Sequence, residues 1–327
     1  MGRSIKDMIA DMRSGDQRSL ARMITAVENR TQGWVDIMKA VYPLAGSACV
    51  MGITGSPGAG KSTLTNRIAK DLVEAGMKVG IIAVDPSSPF TGGALLGDRL
   101  RMRDICTLDH VFIRSMATRG VLGGLCQAAR DVTRILDASG KDVVLIETVG
   151  VGQDEIEVVR ASDFVVLVTF PGQGDGIQVI KAGTMEIADL FVVNKADRDG
   201  ADELLSEICA MLELSCSVRG EIPGVVKTSC ITSEGIDDLM KLIYGFVARK
   251  RKEPGPAGEH VREEILDLME REIFRTVRKS FLNNDALARG IDRIVKGKTD
   301  PYSVSFELIQ AFLMQDEDIS RGGTRHG

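Results

Sequence analysis

The chain has 327 residues, of which 44% are hydrophobic, so it is long enough for one sizeable domain with smaller additions and can fill a core. Its formal net charge is −5, with acidic and basic residues interspersed, which argues against a nucleic-acid-binding surface. No segment approaches the roughly 18 consecutive apolar residues that a membrane span needs, so neither nucleic acid nor a membrane is an expected partner.

The amino terminus and the cysteines predict a cytoplasmic protein. Residues 1–14 include Asp7 and Asp11 and lack the apolar core of a signal peptide, so we expect the mature chain to begin near Met1. The six cysteines are widely separated without a C-x-x-C pair, which suits a reducing compartment. The three histidines are isolated from one another and from the cysteines, so no zinc or nickel site is expected.

Residues 1–45 are predicted to form a helical extension. Apolar side chains recur at helical spacing from about Ile5 to Val41, which indicates two or three amphipathic helices. Trp34, the single tryptophan, is interpreted as a core anchor that joins this extension to the following domain.

Residues 46–250 alternate short apolar runs with helical patterns, which is typical of an α/β domain. Continuous apolar runs at 143–146 and 165–168 indicate strands buried on both faces of a mainly parallel sheet. Seven strands are predicted, at residues 50–54, 79–84, 111–113, 143–147, 164–170, 190–194 and 225–227.

A glycine-rich loop follows the first of these strands. Residues 55–63 read G-S-P-G-A-G-K-S-T and lead into a helical pattern, which is the setting of a phosphate-binding P-loop. Backbone N–H groups of such a loop surround the phosphates, Lys61 adds positive charge, and the Ser62 hydroxyl is placed to bind Mg²⁺. The predicted nucleotide site therefore contains Gly55, Ser56, Pro57, Gly58, Ala59, Gly60, Lys61, Ser62 and Thr63.

Three carboxylates are candidates for a metal and switch network. Asp85 ends the second strand, Asp98 lies in the loop after it, and Glu147 ends the fourth strand. Mg²⁺ prefers oxygen ligands in octahedral geometry, so the predicted metal site consists of Ser62, Asp85, Asp98 and Glu147, several of them through water.

The sequence after Glu147 bears on the rate of phosphate hydrolysis. It reads E-T-V-G, so Gly150 matches the glycine of the D-x-x-G motif that contacts the γ-phosphate in Ras-like GTPases. Val151 stands where those enzymes carry a water-positioning Gln. Slow unassisted hydrolysis is therefore predicted unless another residue, with Gln153 and Asp154 as candidates, positions the water.

A base-recognition motif follows the sixth strand. Asn194, Lys195 and Asp197 form an N-K-x-D sequence, in which the aspartate accepts both N–H groups of guanine. Adenine presents an acceptor and no amino donor at these positions, so it would leave the carboxylate, expected to be buried, without a partner, which costs about 1–3 kcal/mol or more. GTP and GDP are therefore the predicted nucleotides, with Ser229 and Cys230 in a second base-contacting loop.

Residues 251–327 are predicted to form a helical arm. The basic run 249–252, interpreted as a helix end, leads into E-P-G-P, which marks a linker. Apolar side chains between Val261 and Val277 lie on one side of a long helix, and a second helical pattern covers residues 302–314. Two such helices have a wide apolar face, which indicates a packing arm or a dimer interface.

Taken together, these motifs resemble the MeaB/ArgK family of P-loop GTPases over about residues 5–320, and residues 85–102 are the most specific part. The resemblance implies an α/β fold of the signal-recognition and nickel-insertase class with a C-terminal dimerisation arm. It also implies a homodimeric GTPase that acts as a chaperone for an adenosylcobalamin-dependent acyl-CoA mutase, most often methylmalonyl-CoA mutase, with adenosylcobalamin bound by the partner.

The same resemblance implies roles for individual residues. Lys61, Asp98 and Glu147 would be catalytic. Residues 172–181 match a segment that relays nucleotide state to the mutase, with polar contacts from Asp175, Gln178 and Lys181.

Three other classes of protein compete with this interpretation. A nickel-type metal-insertion GTPase would carry a Cys/His metal site, and a ParA-like ATPase would carry an early P-loop lysine where this chain has Ser56 and Pro57. A kinase linked to amino-acid transport has been attached by name to the family, although the sequence offers no site for a protein hydroxyl group.

Overall fold

A computed structural model describes residues 4–85, 105, 108, 110–117, 124–148, 161–172, 188–219, 222–252, 258–282 and 285–322. The chain divides into two compact units, Met1–Gly255 and Pro256–Gly327. The N-terminal helices and the sheet belong to the first unit, whereas the C-terminal helices form the second.

In the described residues, three α-helices and a short 3-10 helix (Tyr42–Leu44) precede the sheet: α1 (Ile5–Arg13), α2 (Gln17–Glu28) and α3 (Trp34–Val41). Asp16 caps α2 by accepting hydrogen bonds from the backbone N–H groups of Arg18 and Ser19, as expected for an aspartate before the first helical turn. Trp34 is only partly buried at the edge of the core, and the Arg30 guanidinium lies 5.1 Å from its ring centre. It therefore anchors the extension less deeply than the sequence predicts.

Seven parallel strands form the sheet, in the order β3-β2-β4-β1-β5-β6-β7. All seven predicted strands are observed and the predicted α/β fold class is confirmed; the third strand continues to Ala117 beyond its predicted end at 113, and the other strand ends differ by at most one residue. The strands are β1 (Cys49–Gly55), β2 (Val79–Asp85), β3 (Val111–Ala117), β4 (Val143–Thr148), β5 (Phe164–Thr169), β6 (Leu190–Asn194) and β7 (Gly224–Thr228).

Helices cover both faces of the sheet. One face packs against α4 (Lys61–Glu74) and α7 (Ile236–Lys252). The other packs against α5 (Gly124–Ala138) with the N-terminal helices, and against α6 (Ala201–Arg219). Because both faces are covered, the strands carry continuous apolar runs instead of alternating ones.

The strand order determines which residues meet at the carboxyl edge of the sheet. Strand β4 lies between β1 and β2, and Glu147 is in register with Ile53 of β1 and Ala83 of β2. Side chains alternate along a strand, so Glu147 points to the same face as Val143 and Leu145, which is the face that α4 covers. The chain thus brings a carboxylate from β4 to the start of α4, at the edge where α/β proteins bind ligands.

The basic end of α7 is paired with two carboxylates at the amino edge of the sheet. Lys250 lies 2.7 Å from Asp163, and Arg251 lies 3.2 Å from Asp142. Each aspartate also accepts a hydrogen bond from a strand-entry N–H group, Asp163 from Val50 and Asp142 from Lys78, both at 2.8 Å. The basic run is therefore a helix end, as the sequence indicates, and it fastens α7 to the sheet.

The described residues of the second unit form three helices where the sequence predicts two: α8 (Gly258–Leu282), α9 (Asp285–Val295) and α10 (Pro301–Gly322). The sequence pattern missed α9 because it is short and contains Gly290. This glycine allows close packing, since a Cβ atom there would lie 2.5 Å from Val304 of α10. In the part of the chain that the structure describes, no helix has both the length and the apolar character of a bilayer span.

Asp137 of α5 provides a test of how the N-terminal helices are joined to the sheet. Its carboxylate accepts hydrogen bonds from the backbone N–H groups of Gly46, Ser47 and Ala48, just before β1. Replacing Asp137 with Ala leaves these donors without a carboxylate, so we expect the free energy of unfolding to fall by about 2 kcal/mol in urea denaturation. Asp238→Ala is the control, because Asp238 forms only an exposed pair with Lys241 and should cost about 0.5 kcal/mol or less. Equal losses in the two variants would contradict this role.

Candidate functional site

The P-loop joins the end of β1 at Gly55 to the start of α4 at Lys61. Lys61 is almost completely buried, and its ammonium group donates hydrogen bonds to the carbonyl oxygens of Gly55 at 2.6 Å and Ser56 at 2.9 Å. The side chain therefore folds back over its own loop. This arrangement fixes a positive charge beside the N–H groups at the amino end of α4, where phosphate oxygens are bound.

Ser62 and Glu147 come together beside the P-loop. The Ser62 hydroxyl donates a hydrogen bond to Oε1 of Glu147, whose side chain is buried at the end of β4. Both are hard oxygen donors of the kind that Mg²⁺ prefers. Their direct contact fits the predicted metal site, whereas the Asp85 side chain and Asp98 lie outside the described residues. Among the residues that are described, no cluster of three or more His, Cys, Asp or Glu side chains could hold a metal ion.

Asn194 connects the base-recognition motif to the P-loop. Its side-chain amide donates a hydrogen bond to the carbonyl oxygen of Ala59 at 2.8 Å and accepts one from the Thr228 hydroxyl at 3.2 Å. All three groups are buried. Buried polar groups that are fully hydrogen-bonded hold one geometry, so the two loops are fixed relative to each other.

Lys195 makes a second connection to the same loop. Its ammonium group donates a hydrogen bond to the carbonyl oxygen of Gly58 at 2.6 Å and lies 4.2 Å from the centre of the Phe170 ring. Its backbone is left-handed, with φ of 59°. Partial burial, and secondarily the nearby Arg198 charge, lower the pKa of Lys195.

Asp197 is held in place by the second base-contacting loop. The Ser229 hydroxyl donates a hydrogen bond to Oδ1 of Asp197 at 2.6 Å, which lowers the pKa of this carboxyl group. The same hydroxyl accepts hydrogen bonds from the backbone N–H groups of Ile231 and Thr232. Asp197 is exposed, whereas the sequence argument expected it to be buried, because the strand ends before the loop that carries it. Its carboxylate is an acceptor that can receive both N–H groups of a guanine.

Cys230 follows Ser229 in the same loop, but its side chain is apolar in character. Its thiol is partly buried against the core, and burial raises its pKa. The thiol therefore stays neutral at physiological pH and contributes packing, not charge.

Arg67 is a supporting residue that the sequence analysis missed. Its Nε donates to both carboxylate oxygens of Asp71 at 3.1 Å, and its Nη1 donates to the Ser233 hydroxyl at 2.9 Å. Helix α4 thereby holds the loop that follows Ser229. The only sequence signal was the four-residue spacing of Arg67 and Asp71 on a helix, which is common on helix surfaces.

Several predicted site residues fall outside the described part of the chain, so their roles stay predictions. They are Asp98 and Gly150 near the phosphates and Asp175, Gln178 and Lys181 of the relay segment, together with the side chain of Asp85. The described residues of the P-loop, the end of β4 and the two base-contacting loops do converge at one edge of the sheet.

A pair of glycine substitutions tests the contact between the P-loop and Asn194. Gly58 and Gly60 both have left-handed backbones, with φ of 76° and 87°. A Cβ atom at Gly60 would lie 2.6 Å from the Asn194 side-chain nitrogen, whereas one at Gly58 would meet nothing within 4 Å. Both alanine variants carry the backbone strain, so we expect Gly60→Ala to bind GDP about tenfold more weakly than Gly58→Ala in calorimetric titrations. Equal affinities would mean that the contact does not shape the nucleotide site.

Known proteins resemble this chain along most of its length. A relative from Pyrococcus horikoshii that carries the name of a GTPase is 45% identical over 321 residues, covering 94% of this chain and 98% of the relative. GTPase ArgK of Escherichia coli is 38% identical over 251 residues, covering 74% of this chain and 76% of that protein. The solved structure of a LAO/AO transport system kinase matches with a TM-score of 0.65 at 26% identity, covering 94% of this chain and 97% of that one.

One family profile matches most of the sequence, including the P-loop, Glu147 and the N-K-x-D motif. It is described as methylmalonyl Co-A mutase-associated GTPase MeaB and matches residues 20–286. The resemblance inferred from the motifs is confirmed. The chain belongs to the MeaB family and is a GTP-hydrolysing enzyme.

Proposed function

We propose that this GTPase works in the cytoplasm as a chaperone of a cobalamin-dependent acyl-CoA mutase, with methylmalonyl-CoA mutase as the first candidate. It would gate the delivery of adenosylcobalamin to the mutase and protect or reactivate the loaded enzyme, with adenosylcobalamin bound by the mutase. The family description, which names a mutase-associated GTPase, supports this choice of partner.

The observation that carries the nucleotide part of the proposal is the pair of hydrogen bonds between the base motif and the P-loop. Asn194 binds the carbonyl oxygen of Ala59, and Lys195 binds that of Gly58. One nucleotide can therefore contact both motifs at once. Asp197, held by Ser229, supplies the acceptor that favours guanine over adenine.

Lys61, Ser62 and Glu147 are the proposed groups at the phosphate end. The fixed Lys61 ammonium would stabilise negative charge that develops on the transferred phosphoryl group. Ser62 and Glu147, with Asp85 and Asp98, would hold Mg²⁺, which when bound supplies further positive charge beside the phosphate oxygens. Val151 lacks a polar group that could orient water, so unassisted turnover should be slow.

The exposed face of the C-terminal unit supports the further proposal of a homodimer. Large apolar side chains that are about half exposed or more include Ile265, Met269, Ile273 and Phe274 on α8 and Phe306, Leu313 and Met314 on α10. This many exposed apolar side chains on neighbouring helices are typical of a protein–protein interface. A second copy of the chain would cover it.

Nucleotide selectivity tests the base site. We expect GTP and GDP, but not ATP, to displace a fluorescent GDP analogue, and Asp197→Asn to shift the preference toward xanthine nucleotides because an amide offers a donor in place of a carboxylate oxygen. Asp199→Asn is a matched control in the same loop and should leave selectivity unchanged. Equal displacement by ATP and GTP would rule out guanine recognition.

Stimulation by the partner tests the chaperone role. We expect saturating cobalamin-dependent mutase to raise GTP turnover about tenfold or more over a basal rate of roughly 10⁻² s⁻¹ or below. Gln178→Ala and Lys181→Ala should blunt this rise and leave the basal rate nearly unchanged, whereas the exposed control Lys241→Ala should change neither. An unchanged rate with saturating mutase would remove the support for this partner.

The same assay separates the competing functions. A kinase, as the related solved structure is described, would transfer the γ-phosphate to a protein and leave labelled protein in place of free phosphate. A metal-insertion GTPase would bind nickel tightly and would be insensitive to the mutase. Release of free phosphate that depends on the mutase distinguishes the chaperone from both.

A further inference from the structure

We propose that Phe170 is a positioning residue for nucleotide binding, because its ring fixes the Lys195 side chain that forms one wall of the base site. The inference deepens the proposed guanine site and rests on it. Sequence analysis gave Phe170 no role beyond that of the last residue of a predicted strand.

The sheet brings Phe170 to the base motif. Phe170 directly follows β5, and β5 pairs with β6 so that Thr169 is in register with Val193. The residues after these two strands therefore lie side by side at the carboxyl edge. Phe170 has the same side-chain direction as Val166 and Val168, and it packs against the core between the sheet, α4 and α7.

Two groups contact the Lys195 ammonium. The carbonyl oxygen of Gly58 lies 2.6 Å away, and the centre of the Phe170 ring lies 4.2 Å away. A cation over an aromatic face is attracted by the negative charge density of the ring. With its end fixed at two points, the aliphatic part of Lys195 keeps one orientation and can pack against a flat base.

The surroundings of Lys195 explain why a second contact is useful. Its backbone is left-handed, which is uncommon for a residue with a side chain, so other contacts must stabilise this conformation. Partial withdrawal from water also disfavours its charge and lowers its pKa. The ring offers electrostatic attraction where hydration is lost, without introducing a group that competes for the Gly58 carbonyl.

The same two segments also come close to each other at a second position. Gly200 ends the loop after β6 that carries Lys195 and Asp197, here called the base loop; it has φ of 88°, and a Cβ atom there would lie 3.6 Å from Cβ of Pro171. Phe170 and Pro171 thus face the base loop at its beginning and at its end. The ring is part of a surface that supports the loop, which distinguishes it from a side chain that only fills the core.

Affinity measurements on the full-length protein test this role. Phe170→Leu keeps an apolar side chain but removes the aromatic face, so we expect the Kd for GDP and for IDP to rise by the same factor, about five- to tenfold. The factor should be equal because the Lys195 side chain would pack on the plane of either base. IDP differs from GDP only in lacking the amino group that Asp197 binds. Phe170→Tyr keeps the aromatic ring, so its Kd for GDP should lie within about twofold of that of the original protein.

Two further variants separate positioning from general stability. In a Lys195→Met background, Phe170→Leu should have no further effect on the Kd for GDP, because the ammonium that the ring holds is gone. Phe246→Leu is the aromatic control: Phe246 is partly buried against the core and stacks on Phe164 with centroids 4.3 Å apart, so this variant should lower thermal stability and leave the Kd for GDP unchanged. In steady-state hydrolysis, Phe170→Leu should raise KM and leave kcat within about twofold.

The outcomes distinguish this inference from the function on which it rests. An original protein that binds ADP as tightly as GDP would overturn the guanine site and the role of Phe170 together. Selective binding of GDP with an unchanged Kd in Phe170→Leu would overturn only the role of Phe170. The same conclusion would follow if Phe170→Tyr failed to restore affinity, or if Phe170→Leu weakened binding equally in the Lys195→Met background.

Discussion

The hydrogen bond from the Asn194 amide to the carbonyl oxygen of Ala59 is the constraint on which the site depends. It joins the end of β6 to the P-loop at the end of β1, across the intervening strand β5. Because the partners are buried, losing either one would leave a polar group without its hydrogen bond in a site shielded from water. The phosphate end and the base end therefore form one preorganised surface, which reduces the entropy lost on nucleotide binding.

The strand order supplies the other half of this preorganisation. Inserting β4 between β1 and β2 brings Glu147 to Ser62, although the two residues are far apart in the chain. Both strands next to β1 thus end beside the P-loop: β4 carries the candidate metal ligand, and β5 leads to the ring that contacts Lys195.

Local sequence patterns were sufficient to predict most of the fold and the two main motifs of the site, the P-loop and N-K-x-D. Apolar runs predicted all seven strands, and the glycine-rich loop and N-K-x-D motif predicted which loops would meet, because such motifs occupy consecutive positions. The contact between Ser62 and Glu147 could be predicted only as a shared metal site, since it depends on strand order. Arg67 and Phe170 act through residues distant in sequence, and neither has a pattern that separates it from an ordinary helix surface or core side chain. Helix α9 was missed because Gly290 is read locally as a helix breaker, whereas its value lies in the close approach of Val304.

Helix α4 connects the phosphate site to the second base-contacting loop. Its first residue, Lys61, belongs to the phosphate site, and Arg67 holds the second base-contacting loop through Ser233. The rise between these two positions is about 9 Å along the helix axis, and a hydrogen-bonded helix cannot easily shorten or lengthen. The backbone of this helix therefore fixes the distance from the phosphate site to the second base-contacting loop, while Asn194 fixes the N-K-x-D motif. A ligand whose base and phosphates lie at a different separation can engage one end of the site but not both.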